Sequence, residues 1–253
     1  MADTDGLPPV RLQLHGRFAL AVEGRPVEHL LPGRRARLLV AVLALSHRSP
    51  VDRATLIDVL WSPSRPGDGA ASTFSALLSK VRTTLEPAGI AGRRCLQLVL
   101  PPGSLVDATV AQGALHAAES AAARADWHRA WTEALSALFV TQRGFLGDFD
   151  DPWSEDRRRE AAHQHRRVLA CYGEACLHLG PGEMAGAERS ARALITLDPV
   201  AETGYRLLMR AHVARGDRGA ALVVYEQMRR ALREHLGADP SPATRELHAE
   251  LLG

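Results

Sequence analysis

Hydrophobic residues recur with helical spacing between residues 69 and 86. A helix drawn over Gly69–Glu86 places four apolar side chains on one side: Phe74, Leu78, Val81 and Leu85. The opposite side and its flank carry small hydroxyl and basic side chains: Ser72, Ser75, Ser79, Lys80, Arg82 and Thr83. Small hydroxyls and positive charge on an exposed helix suit the major groove of DNA. A charged helix side is also the usual solvated surface of a domain, so the neighbouring elements decide between the two interpretations.

A shorter helix precedes this one and ends near Trp61. Asp52 is a typical N-cap residue, and Leu56 and Leu60 give the helix an inward side. Residues 62–67 are rich in serine, proline and glycine, which predicts a loop. Two short helices in tandem, the second with a polar exposed side, are typical of a helix-turn-helix.

Alternating apolar and polar residues over 10–31 predict short strands, and a helix follows from Arg34 to Ser46. Three arginines lie in its first turn: Arg34, Arg35 and Arg37. A helix dipole does not favour cations at this end. The arginines therefore form either a solvated first turn or a clamp for phosphates beside a DNA duplex.

A predicted hairpin follows the 69–86 helix. Its strands are Cys95–Leu100 and Leu105–Val106, joined by a type II turn at Pro102–Gly103. A hairpin directly after a reading helix is the wing of a winged helix-turn-helix. Arg93 and Arg94, at the base of the hairpin, would contact phosphate or the minor groove.

From Ala108 onward the hydrophobic pattern is helical. The predicted helices cover residues 108–124, 126–139, 152–179, 182–197, 199–215, 217–236 and 241–252. Short connections between them imply antiparallel neighbours. Ala187 and Ala221 are 34 residues apart, and Leu194 and Met228 share this offset. A 34-residue period of helix pairs is the tetratricopeptide signature.

These elements predict an α+β protein that is mainly α, with a winged helix-turn-helix domain at 1–107 and a tetratricopeptide-like all-α domain at 108–253. The charge distribution agrees with this division. Residues 1–107 contain 13 Lys and Arg against 9 Asp and Glu, whereas residues 108–253 contain 18 against 20. A mildly basic first half fits a nucleic-acid surface, although the difference is too small to argue DNA binding alone.

The sequence carries no signal peptide pattern and no apolar run long enough to span a bilayer, so we expect a cytoplasmic protein without a membrane partner. Three cysteines argue against a disulfide framework, and we expect Cys95, Cys171 and Cys176 to behave as small buried apolar residues. No catalytic, phosphate-binding or zinc-binding motif is present. We therefore expect no enzymatic activity, no cofactor and no metal site.

Two clusters between residues 145 and 159 have competing interpretations. Acidic residues at 148–156 precede Arg157–Arg159, which favours the start of a helix over a calcium loop, because regular ligand spacing is missing. Phe145, Phe149 and Trp153 either hold a long loop onto the helical domain or line a pocket for a ligand or protein.

With both halves in view, the chain resembles the Streptomyces antibiotic regulatory protein family, which combines an OmpR-type winged helix with a bacterial transcriptional activation domain of tetratricopeptide-like helices. The most specific motifs are C-terminal: Ala220–Tyr225, Leu232–Gly237 and Pro240–Leu247. A looser, collinear match covers Leu38–Leu45, Val51–Trp61 and Ser79–Leu85. The resemblance covers nearly the whole chain, and we expect the further modules of larger relatives to be absent.

The resemblance implies a transcription activator that binds double-stranded DNA head-to-tail on direct repeats and contacts RNA polymerase or its sigma factor. It leaves a homodimer open. Members of the family carry larger polar residues on the early turns of the reading helix, where this chain has Ser72, Ser75 and Leu77. Serine lacks the bidentate geometry that discriminates bases. Specificity would then come from DNA shape, the wing or a partner, or the helix no longer reads DNA and the chain is a protein- or ligand-binding helical module.

Overall fold

A computed structural model describes residues 7–62 and 69–253, so the N-terminal residues 1–6 and most of the predicted 62–67 loop lie outside the described residues. The fold is α+β and mainly helical. Its helices are α1 (Gly33–Leu45), α2 (Arg53–Trp61), α3 (Ala70–Leu85), α4 (Asp107–Ala122), α5 (Trp127–Thr141), α6 (Pro152–Leu179), α7 (Met184–Leu197), α8 (Glu202–Ala214), α9 (Arg218–Leu236) and α10 (Pro242–Leu252). Its strands are β1 (Val10–Gln13), β2 (Ala19–Val22), β3 (Arg25–Pro26), β4 (Val51–Asp52), β5 (Gly89–Ala91), β6 (Cys95–Val99) and β7 (Leu105–Val106).

The chain divides into two compact units. The N-terminal unit comprises Met1–Ala111 and Val140–Ala162, and the C-terminal unit comprises Gln112–Phe139 and His163–Gly253. The N-terminal unit therefore includes a segment that the sequence-based boundary at residue 107 assigns to the helical domain. The reason lies in the apolar side chains of that segment, which are described below.

Two small sheets frame the N-terminal unit. The first has the order β3-β2-β1-β7, with β1 antiparallel to β2 and parallel to β7. Leu12 of β1 faces Leu20 of β2 and Val106 of β7, and all three are buried. The second sheet has the order β4-β6-β5 and is antiparallel throughout. Alternating apolar residues thus face one core, as their spacing in the sequence predicts.

Helices α1, α2 and α3 fill the space against these sheets. The apolar side predicted for the 69–86 helix is confirmed, because Phe74, Leu78, Val81 and Leu85 are all buried in α3. Leu39 of α1 and Leu56 of α2 are completely buried in the same core. The predicted N-cap of α2 is also confirmed: Oδ2 of Asp52 accepts the backbone N–H of Ala54 at 2.8 Å.

The hairpin predicted from residue 95 to 106 is wrong. The Cys95–Val99 strand pairs instead with the preceding β5, where Ile90 lies opposite Leu98, and with β4 on its other edge. β7 leaves this sheet and pairs with β1. Gly92 makes the tight β5–β6 turn: its φ is +91°, and an added Cβ would lie 1.9 Å from the carbonyl oxygen of Cys95. Pairing with β5 buries Ile90 together with Leu96 and Leu98, a burial that the later hairpin would not provide.

The segment Gly144–Phe149 also departs from the prediction. Phe145 and Phe149 are buried in the core of the N-terminal unit, where the prediction assigned them to the helical domain. Backbone hydrogen bonds support this packing: Leu146 donates to Leu14 at 2.9 Å, and Gly16 donates to Gly144 at 2.8 Å. We call residues 144–149 the strap.

The acidic residues between 148 and 156 lie at the start of a helix, as predicted. Asp151 accepts the backbone N–H of Ser154 at 2.9 Å and its hydroxyl at 2.8 Å, at the beginning of α6. Asp148 accepts the backbone N–H of Phe18 at 3.3 Å. Asp148 and Asp151 therefore each satisfy a backbone donor.

The C-terminal unit is built from helix pairs. Helix α8 packs against both α7 and α9, and the residues at the 34-residue offset are buried in each case: Ala187, Ala221, Leu194 and Met228. The tetratricopeptide-like fold is thus confirmed. The largest difference from a predicted helix start is in α8, which begins at Glu202 and not at residue 199. The side chain of Ser241, the N-cap residue of α10, makes no capping hydrogen bond. It bonds across to Glu202, with Oγ donating to the carboxylate at 2.7 Å.

Candidate nucleic-acid interface

The exposed side of α3 carries the side chains that the sequence singles out. Ser72, Ser75, Ser79, Lys80 and Thr83 are all exposed. The hydroxyl of Ser72 donates to the carbonyl oxygen of Gly69 at 2.8 Å, and that of Ser75 donates to Ala71 at 2.6 Å. Because these protons are held by the helix backbone, the two oxygens act as acceptors, and the oxygen of Ser75 already accepts one hydrogen bond from Nη2 of Arg53 at 2.6 Å. This surface is suited to accept hydrogen bonds and carries one lysine.

Arg82 is not a free cation on this surface. Its side chain is half-buried, and its Nε donates to the carbonyl oxygen of Ile90 at 3.0 Å. Its Nη2 donates to the carbonyl oxygen of Gly92 at 2.9 Å. The sequence predicts a base-edge or phosphate contact for this residue, whereas the structure uses two of its donors to join α3 to the β5–β6 hairpin.

Arg93 and Arg94 form the β5–β6 turn together with Gly92, so they lie at the tip of a hairpin and not at its base. Both are exposed. The carbonyl oxygen of Arg94 accepts the backbone N–H of Arg53, the first residue of α2, at 2.9 Å. The turn is thereby tied to the start of one helix and, through Arg82, to the last turns of the next.

Arg53 is the important residue that the sequence analysis missed. Its Nη2 donates to Ser75 Oγ at 2.6 Å, and its guanidinium carbon lies 4.7 Å from the ring centroid of Phe74. These contacts fix the early turns of α3 against the start of α2. No sequence signal indicates them, because Ser75 lies 22 residues away and the pairing depends on how the two helices cross.

Arg34 and Arg35 at the start of α1 are exposed and have partners within the N-terminal unit, and their role as a phosphate clamp stays a prediction. Nε of Arg35 donates to the carbonyl oxygen of Leu60 at 3.2 Å, and its guanidinium lies over the ring of Trp61 at 5.2 Å. The guanidinium nitrogens of Arg34 lie 3.9 Å from carboxylate oxygens of Asp150 and Asp151. Its guanidinium carbon lies 5.4 Å from the ring centroid of Phe149. Both arginines therefore bind within the N-terminal unit: Arg35 satisfies a carbonyl at the C-terminal end of α2, and Arg34 balances acidic residues at the start of α6.

The cysteines only partly follow the expectation of burial. Cys95 is exposed on β6, which contradicts it, whereas Cys171 is half-buried and Cys176 is buried. Burial, together with Glu119 and Glu174, raises the pKa of Cys171 to about 11. Burial also raises the pKa of Cys176 to about 11, against the lowering effect of a hydrogen bond with Tyr172. Both thiols stay protonated near neutral pH and are poor nucleophiles.

Within residues 7–62 and 69–253, no helix is both long enough and apolar enough to cross a bilayer. The same residues contain no group of three or more His, Cys, Asp or Glu side chains placed to hold a metal ion.

The family profile named "bacterial transcriptional activator domain" matches residues 106–252. The chain belongs to this family. The match covers more than half of the sequence and includes all of α7–α10, whose helix pairs carry the 34-residue offset.

Curated relatives extend this assignment along the chain. The transcriptional regulatory protein EmbR of Mycobacterium tuberculosis is 27% identical over 245 residues, which cover 94% of this chain and 62% of EmbR. The regulatory protein AfsR of Streptomyces coelicolor is 29% identical over 218 residues, which cover 85% of this chain and 22% of AfsR. The chain thus spans about three fifths of EmbR and about one fifth of AfsR. These relatives are named as regulators and not as enzymes.

A solved structure shares the fold. Mycobacterium tuberculosis EmbR, in complex with a low-affinity phosphopeptide, aligns with a TM-score of 0.85 and 23% sequence identity. The alignment covers 97% of this chain and 65% of the EmbR chain.

Proposed function

We propose that this member of the activator-domain family is a DNA-binding transcription regulator of the Streptomyces antibiotic regulatory protein type, and that it acts as an activator. The observation that carries the proposal is the exposed side of α3 next to a hairpin turn with two exposed arginines, in the same chain as an activator domain. Helices α2 and α3 would form an OmpR-type helix-turn-helix, and β5–β6 its wing.

Each exposed side chain has a separate role in this proposal. Helix α3 enters the major groove, where the hydroxyl oxygens of Ser72, Ser75 and Ser79 accept hydrogen bonds from base amino groups. Lys80 and Thr83 contact the phosphate backbone from the same helix. Arg93 and Arg94 do so from the wing.

The C-terminal unit would contact RNA polymerase or its sigma factor, with copies of the chain binding head-to-tail on direct repeats. The support for this step is the activator-domain match and the names of EmbR and AfsR as regulators. The regulated promoter would be found by genome-wide binding of the tagged protein.

The test of DNA binding uses the full chain and a fluorescein-labelled mixed-sequence duplex, titrated over a range of salt concentrations. We expect the slope of log affinity against log salt to fall by about 1 for Lys80→Ala and about 2 for Arg93→Ala/Arg94→Ala, since each neutralised phosphate contributes about 0.9. The matched control is Arg229→Ala on α9, a surface residue paired with Glu226, which should leave the slope unchanged. Unchanged slopes for both Lys80 and Arg93/Arg94 variants would show that α3 and the hairpin are not the DNA surface.

A second candidate function is a helical interaction module whose N-terminal unit no longer reads DNA. The observation that favours it concerns Ser72 and Ser75 of α3, whose hydroxyl protons are held by their own helix. Their oxygens can then only accept hydrogen bonds, and a single acceptor discriminates poorly between bases. It predicts no duplex binding by the intact chain at low salt and an undiminished capture of RNA polymerase by a chain whose Lys80, Arg93 and Arg94 are all alanine.

A further inference from the structure

The β5–β6 turn is held from two directions. On one side, Arg82 donates to two carbonyl oxygens where β5 enters the turn, those of Ile90 at 3.0 Å and Gly92 at 2.9 Å. On the other side, the backbone N–H of Arg53 reaches the carbonyl oxygen of Arg94 at 2.9 Å. A two-stranded hairpin is only marginally stable by itself, so such contacts limit the motion of its turn. The exposed arginines of this turn therefore have a defined position relative to α3.

We propose that Arg82 is a positioning residue for DNA binding, which acts by holding the β5–β6 turn so that Arg93 and Arg94 reach the phosphate backbone while α3 occupies the groove. This inference rests on the proposed function. It gives Arg82 a role distinct from a direct contact with bases or phosphates. Arg82 affects DNA affinity only by positioning Arg93 and Arg94.

The geometry requires a guanidinium. Arg82 uses Nε and Nη2, two donors fixed in one plane, to reach carbonyls two residues apart on a strand that leads into the turn. A lysine at this place keeps the charge but offers a single ammonium on a flexible stem, which cannot hold both carbonyls in the same way. Arg82→Lys therefore keeps the positive charge but removes the pair of donors that holds the two carbonyl oxygens.

The turn itself supplies an independent variant. Gly92 has a φ of +91°, and a Cβ at this residue would lie 1.9 Å from the carbonyl oxygen of Cys95. Gly92→Ala consequently distorts the turn without removing any side chain of Arg82, Arg93 or Arg94. If Arg82 acts through the turn, the two variants should have the same effect on DNA.

The experiment is a double-mutant cycle in the full chain, read as the salt slope of binding to the labelled mixed-sequence duplex. We expect Arg82→Lys to lower the slope by about 2, as much as Arg93→Ala/Arg94→Ala does, and Gly92→Ala to do the same. Adding Arg82→Lys to Arg93→Ala/Arg94→Ala should then change nothing further. Arg25→Lys, at an exposed residue of β3, is the matched control and should keep the parent slope.

A hydrogen-exchange measurement accompanies the cycle. Amides of β5 and β6 should exchange faster in Arg82→Lys, whereas those of β1 and β2 should not, which shows that the lysine variant remains folded and loosens the hairpin alone. A lysine variant with the parent slope overturns the positioning role, because charge alone then suffices. Additive losses overturn it as well, because Arg82 would then contact DNA itself. A parent chain without affinity for the duplex overturns the proposed function together with this inference, whereas binding with an additive cycle overturns this inference alone.

Discussion

Glu188 of α7 is the clearest case of a single residue whose charge is used inside the C-terminal unit. Its carboxylate is buried and accepts hydrogen bonds from Arg215 and, at 2.9 Å, from Arg192. The hydrogen bond from Arg215 is the largest cause that lowers the pKa of Glu188 below its ordinary value of 4.5, and it outweighs the opposing effect of burial. The ionised carboxylate is therefore favoured by folding.

The sign of the pH dependence follows from this shift. A carboxyl group whose pKa is lower in the folded state stabilises the protein above its unfolded pKa, and loses that contribution as the pH falls through the folded-state value. We expect Glu188→Gln to lower the free energy of unfolding at pH 7 by about 1–2 kcal/mol. The difference from the parent should shrink as the pH falls below about 4.5.

Urea unfolding followed by circular dichroism at pH 7 and at pH 3 measures this difference. The control is Glu226→Gln on α9, where the carboxylate is exposed and pairs with Arg229 at the surface, so the expected change is below about 0.5 kcal/mol. An equal loss in Glu188→Gln at both pH values would contradict the assignment, because the effect would then not depend on ionisation.

At the scale of elements, Gly204 of α8 allows α7 and α8 to pack closely. An added Cβ at Gly204 would lie 2.9 Å from Cβ of Leu194 and 3.0 Å from the carbonyl oxygen of Ala191, both in α7. One neighbour is a backbone oxygen and the other is a Cβ atom, and neither can move without moving the backbone of α7. The two helices thus approach so closely at this point that only glycine fits.

We expect Gly204→Ala to destabilise the C-terminal unit by about 1–3 kcal/mol, the usual cost of overpacking. Gly113, within α4 of the same unit, has no atom within 4 Å of its added Cβ. Gly113→Ala should therefore stabilise the chain by about 0.5–1 kcal/mol through helix propensity alone. The two urea midpoints should move in opposite directions, and a stabilised Gly204→Ala variant would show that α7 and α8 are not packed this closely.

Strand pairing also explains why the hairpin predicted from the sequence was wrong. Cys95–Leu100 reads correctly as a strand, and the Pro102–Gly103 turn after it is a strong local signal. Gly89–Ala91 is too short to give a periodic signal of its own. It becomes a strand because pairing with β6 satisfies its backbone and buries Ile90, which is a tertiary effect.

At the scale of the whole molecule, the N-terminal unit is discontinuous in sequence, since it needs residues 140–162. Phe149 of the strap is 1% exposed in its core. We expect Phe149→Ala to destabilise the full chain by about 3–5 kcal/mol, as for other buried aromatic residues. The strap forms backbone hydrogen bonds with the loop between β1 and β2. The loss of stability should therefore appear as faster hydrogen exchange in β1 and β2, and much less in α8 and α9.

The control for this prediction is Phe139→Ala, because Phe139 is 63% exposed and its truncation should change stability by no more than about 0.5 kcal/mol. Slow exchange in β1 and β2 of Phe149→Ala would mean that the strap is dispensable. The same reasoning predicts that a fragment ending at residue 107 is a poor choice for DNA-binding assays.

The sequence by itself determined the elements with strong local signals: the amphipathic side of α3, the Asp52 cap, the start of α6 and the 34-residue repeat of helices. Spacing, capping and apolar periodicity act over a few residues, so they can be read directly. Only the tertiary structure decided which strand pairs with β6, which core receives the strap, and which arginines remain free. Arg34, Arg35 and Arg82 look equally available in sequence. Their partners lie between 8 and 117 residues away, and the carbonyls and carboxylates that bind them come within reach only when the chain has folded.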